Sequence, residues 1–154
     1  MDIRIFLKKL SVLHISLCIG LTAIGLFVFW QNRAFTARMD SGNLLIYIVP
    51  IFGAGGYFVS QFLFRKRVQL IQASQTLPTK LAQYQKATII KYALLEGPAI
   101  LAFVAYYFTG NAMHLVIGVF LLIYLFVQRP TISKVIQDLP LTFEEQKQFD
   151  TFQD

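Results

Sequence analysis

LSVLHISLCIGLTAIGLFVFW, Leu10 to Trp30, is a run of 21 residues without one charged side chain. A helix rises 1.5 Å per residue, so roughly 20 residues cross a ~30 Å hydrocarbon layer, and this run is long enough. It exceeds the ~7–15 apolar residues of a signal peptide, and no small-x-small cleavage site follows it. A retained membrane span is the expectation.

The rest of the chain repeats the pattern. Further spans are expected over residues 44–64, 88–108 and 112–127, the last being short for a full crossing. Hydrophobic residues make up 56% of the 154-residue chain and charged residues 14%, against about 25% charged in soluble domains. The fold class expected is therefore all-α, an integral-membrane four-helix bundle occupying residues 1–130. One cysteine, Cys18, excludes an internal disulfide framework, and no cofactor or metal site is expected.

The net charge of +6 raises the question of nucleic acid. The basic residues instead flank the apolar runs, so lipid is the expected partner and nucleic acid is not. Twelve of the 14 Lys and Arg fall at the amino end, between spans two and three, or after span four. Only Arg33 and Arg38 fall on the other side. The positive-inside rule then puts both termini in the cytoplasm of an inner (plasma) membrane protein. Trp30 and the Tyr106–Tyr107 pair are expected at the outer interface, which amphipathic rings favour.

Residues 65–87 keep an apolar rhythm through Val68, Leu70, Ile71, Leu77, Leu81 and Tyr84, which predicts a protruding cytoplasmic helical hairpin. Pro78 disfavours helix at Leu77, making Thr79 the expected N-cap of the helix that follows. Residues 131–154 form an amphipathic tail. Ile132, Val135, Ile136 and Leu139 make one stripe, and Thr142 to Glu145 reads as a capping box opening a helix with Phe143, Phe149 and Phe152. These apolar faces dock on the hairpin, lie on the inner leaflet, or offer themselves to another protein.

Sliding the chain by 77 positions lays span one over span three, with Ser16 and Gly20 over Ala93 and Gly97. With a shorter outer loop allowed, Asn43 corresponds to Asn111. This is the pattern of a duplicated hairpin. Both small-xxx-small pairs, and Gly56 with Ser60 in span two, permit close helix packing. Pro50 and Pro98 predict kinks. His14 and His114 fall near opposite ends of their spans and are expected to pack rather than share an ion.

Glu96 breaks the rules. It lies about 12 Å from the inner end of span three, where a charged carboxylate costs on the order of 3 kcal/mol. Lys91, five residues away, points elsewhere around the helix, while Tyr92 at i−4 shares the face and can donate its hydroxyl. Pro98 frees the carbonyl of Leu94. Glu96, Tyr92 and Leu94 thus make a candidate proton or ion site. The stretch YALLEGPAILAFVAYYF, residues 92–108, also resembles the ion-carrying helix of the c subunit of rotary ATP synthases. That resemblance implies Glu96 as a proton or sodium carrier; it is confined to this one helix.

No hydrolase triad, metal cluster or nucleotide fingerprint is present, so an enzyme is not expected. The expected function is a non-enzymatic packing or docking subunit, meeting other proteins or further copies of itself through the hairpin and tail. The alternative is an oligomeric ion- or solute-translocating protein with Glu96 as its protonatable coupling residue.

Overall fold

The computed structural model describes residues 3–37 and 42–150; Arg38 and Phe152 lie outside them. Six helices follow one another: α1 (Ile3–Asn32), α2 (Leu45–Gln69), α3 (Leu77–Thr109), α4 (Ala112–Val127), α5 (Ile132–Asp138) and α6 (Phe143–Asp150). The protein is all-helical over the described residues. Three helices, α1, α2 and α3, are long and apolar enough to cross a membrane. The 16 residues of α4 give about 24 Å, and the chain turns by 85° into α5.

Large apolar side chains stay exposed along these helices, among them Ile19, Leu26, Phe58, Phe108 and Phe126. In water such a surface would aggregate; against lipid it is the ordinary outer face. In lipid such an interior would be held by contact rather than by escape from water, because lipid tails are as apolar as leucine. Phe103 shows how. Its ring fills the space that side chains at Gly25 and Gly118 would need: an added Cβ would stand 3.0 Å and 2.6 Å from ring carbons.

A second cluster lies at the end bearing the basic residues. Phe6 and Leu10 of α1, Phe64 and Val68 of α2, and Leu81 and Tyr84 of α3 meet Val135, Leu139 and Phe149 of the tail. The hairpin of α2 and α3 therefore does not stand bare. Val135, Leu139 and Phe149 of the tail are buried on it, and Phe143 is left exposed.

The capping box forms as expected: Thr142 N donates to Glu145 Oε2 at 2.8 Å, and Glu145 N to Thr142 Oγ1 at 3.4 Å. The start of α3 differs from expectation. Thr76, extended at φ −68° and ψ 149°, is the N-cap in place of Thr79, and Pro78 sits inside the first turn. A proline there loses no hydrogen bond, because the first amides of a helix are unpaired anyway. Further along, Pro50 and Pro98 are carried inside continuous helices.

At the opposite end the two loops are clasped together. Asn32 Nδ2 donates to the carbonyls of Tyr106 and Tyr107 at 3.0 and 2.9 Å. Ala112 N donates to Thr36 O at 3.0 Å, and Tyr106 Oη to Ala34 O at 2.7 Å. Gly110, in the left-handed region at φ 63°, makes the turn that allows this. Tyr106 is thus a buried clasp, whereas the Trp30 and Tyr107 rings are exposed.

Candidate functional site

The structure separates the three residues of the expected ion site. Tyr92 is buried, and its hydroxyl donates to the carbonyl of Gln128 at 2.9 Å, away from Glu96. The Leu94 carbonyl faces α2, where a Cβ on Gly56 would stand 2.6 Å from it and 2.6 Å from Pro98 Cγ. Glu96 is left without a hydrogen bond or ion pair among the described residues. It is partly exposed, on the arc of α3 that Ile89, Ala93, Gly97 and Val104 keep open.

The small-residue pairs divide in the same way. Gly56 and Ser60 pack within the chain, with Ser60 fully buried and its hydroxyl on Tyr57 O at 2.8 Å. Ser16 and Gly20 on α1, and Ala93 and Gly97 on α3, turn outward. A Cβ added at Gly20 or Gly97 would meet nothing within 4 Å. These four are not packing residues inside the chain. Ala93 and Gly97 flank Glu96 on α3 and open onto a groove against Gly55, Gly56 and Val59 of α2, while α1 packs on α3 elsewhere: the His14 and Tyr92 rings lie 5.2 Å apart, and further along Gly25 meets Phe103.

A polar cluster that the sequence did not reveal gathers where α4 ends. The last carbonyls of a helix have no partner in the helix itself, and in hydrocarbon each must find one. Here Gln128 N reaches back to Leu125 O at 3.0 Å, and other elements add further donors. His14 Nε2 lies 2.8 Å from Leu125 O, Tyr92 takes Gln128 O, and Lys134 Nζ donates to Val127 O and Arg129 O at 3.0 and 3.1 Å. Lys91, buried over the Phe64 ring, holds the Gln128 side chain through Oε1 at 2.7 Å. The short length of α4 was the available signal. A helix that ends early in a bilayer demands such donors.

His114 is 11 residues from Leu125 along α4, about 16 Å, so the two histidines do not meet. His114 is fully buried, and neither ring nitrogen has a hydrogen bond among the described residues.

The tail is pinned by one ion pair. Lys80, fully buried, donates from Nζ to Glu145 Oε2 at 2.7 Å and to Pro140 O at 2.9 Å. Tyr84 Oη donates to Asp138 Oδ2 at 3.0 Å. Burial pushes the Glu145 carboxyl up, but hydrogen bonds from Lys80 and the Thr142 amide, with the Lys80 charge, outweigh it. The net result is a value below the ordinary 4.5.

Comparison with known protein families, curated proteins and solved structures finds no match. Function must be argued from these surfaces.

Proposed function

We propose that the protein is a multi-pass membrane protein with both ends in the cytoplasm. It acts as a non-enzymatic packing subunit, through the exposed face of α3 around Glu96. Support for the topology comes from the basic-end cluster, which joins the start of α1, the α2–α3 hairpin and the tail. If α1, α2 and α3 each cross, α4 must cross back for α5 and α6 to reach the hairpin. The charge asymmetry puts that end in the cytoplasm.

One observation carries the functional reading. Glu96 is a carboxyl group in a helix long and apolar enough to span, partly exposed, with no partner among the described residues, beside the outward-turned small residues Ala93 and Gly97. A polar group in hydrocarbon is stable only when paired, and small residues let another helix come close enough to do it. The contact surface therefore lies on the exposed arc of α3, and Val135, Leu139 and Phe149 of the tail are already buried on the hairpin. Leu70 and Phe143 remain exposed beside it for a secondary contact.

The test is a photo-crosslinking residue placed at Gly97, with Phe120 on the exposed side of α4 as control. The expected result is a discrete protein adduct, with a partner or a second copy, from position 97 and none from 120. No adduct from 97 sinks the reading. Proton or ion carriage by Glu96, as its resemblance to the c-subunit helix implies, keeps the carboxyl but loses Tyr92 and Leu94 as companions. A pH-gradient-driven flux in liposomes that Glu96→Gln abolishes would replace the packing reading with that one.

A further inference from the structure

A groove of about 620 Å³ runs along the surface between α1 and α4. Ile15, Ile19, Leu26 and Phe126 wall it, and Arg129 and His14 stand at its basic end. From His14 to Leu26 the groove covers about 18 Å, close to the ~15 Å depth of one leaflet's hydrocarbon. We propose that it holds one anionic phospholipid of the leaflet at the basic end, an acyl chain in the groove and the phosphate on Arg129.

Three observations converge on this occupant. The Arg129 guanidinium is exposed and has neither ion pair nor hydrogen bond among the described residues, whereas Lys134 and Lys91 beside it are spent on Val127, Arg129 and Gln128 acceptors. The shortness of α4 draws that charge to the edge of the hydrocarbon, where lipid phosphates lie. His14 supplies the third. It lines the groove beside Arg129, and its Nε2, which faces the carbonyl of Leu125 at 2.8 Å, is already spent there, so the guanidinium is the group left for a phosphate. An anionic headgroup with no ammonium of its own, as in phosphatidylglycerol, suits that single exposed guanidinium.

Native mass spectrometry of the full chain in detergent, with equimolar phosphatidylglycerol and phosphatidylcholine, tests this. The parent is expected to retain a single phosphatidylglycerol in about fivefold preference, the equivalent of ~1 kcal/mol for one basic side chain at a lipid surface. Arg129→Gln should bring the ratio to near one with the helical circular dichroism unchanged. Ala23→Phe, which fills the groove, should lose both lipids, and Lys8→Gln with Lys9→Gln should keep the preference. No preference in the parent, its persistence in Arg129→Gln, or its loss in the Lys8/Lys9 variant overturns the site. Displacement by millimolar inorganic phosphate overturns it too, in favour of a soluble-anion site.

Discussion

Glycines 56 and 97 occupy adjoining helices, yet their surroundings demand opposite outcomes from one added methyl group. At Gly56 a Cβ would stand 2.6 Å from the backbone oxygen of Leu94, so α2 and α3 must separate. Gly56→Ala should cost about 1–3 kcal/mol and lower the melting temperature in detergent by several degrees. At Gly97 the methyl meets nothing, and the only remaining effect is the helix preference of alanine, about 0.5–1 kcal/mol. Gly97→Ala should leave the melting temperature equal or higher while weakening any association through the Glu96 face. A loss of stability at both positions would refute the assignment of inner and outer faces. Spacing of small residues showed that three faces permit close approach; it carried no information on which neighbour makes it. Glu96 was legible as an anomaly for the same reason, and its partners were not, because Tyr92 and Leu94 are claimed by α4 and α2, whose placement is a tertiary fact.

Elements were easier to read than their joints. The apolar runs located the cores of α1 to α4, and the capping box located α6, since both are signals written within a few residues. Asn43 and Asn111, matched by the internal repeat, each accept from the amide two residues on, at 3.0 Å in both. The partner of Lys80 was illegible because Glu145 is 65 residues away. That joint yields two predictions. Glu145→Ala leaves a buried ammonium unpaired and should cost about 3 kcal/mol, while Lys80→Met with Glu145→Leu should recover most of it. The pair also makes tail docking acid-sensitive. Because the Glu145 carboxyl is held below 4.5 in the folded protein, its contribution is complete above that pH and is lost as pH falls through the lower folded value. Phe149→Trp in a Trp30→Phe background reports the undocking as a red shift of emission. The shift should come below pH 4.5 in this protein and should vanish as a pH-dependent step in Glu145→Gln. A transition at neutral pH would assign the tail's hold to another group.

At the scale of the whole molecule the two ends are built differently. The far end is a clasp in which Ala34 and Thr36 are held by Tyr106 and Ala112. The basic end is a side-chain core that gathers α1, α2, α3 and the tail. Charge counting located the basic end, because lysines and arginines are read directly from the sequence. It carried no reason for a 16-residue helix to return, as the proposed topology requires. Donors from α1, α3 and α5 on the carbonyls at the end of α4 are consistent with that return, since they would let the helix end at the bilayer edge. The consequence is a topology with a definite labelling pattern. In a Cys18→Ala background, single cysteines at Gln72 and Lys147 should react with a membrane-impermeant maleimide only from the cytoplasmic face. A cysteine at Gly42 should react only from the opposite face. Tyr92→Phe, which strips Gln128 of its donor, should leave this pattern intact while lowering stability by ~0.6 kcal/mol, the usual worth of a hydrogen bond in a bilayer. Opposite-side labelling of Gln72 and Lys147 would mean that α4 does not cross, and with it the tail could not rest on the hairpin.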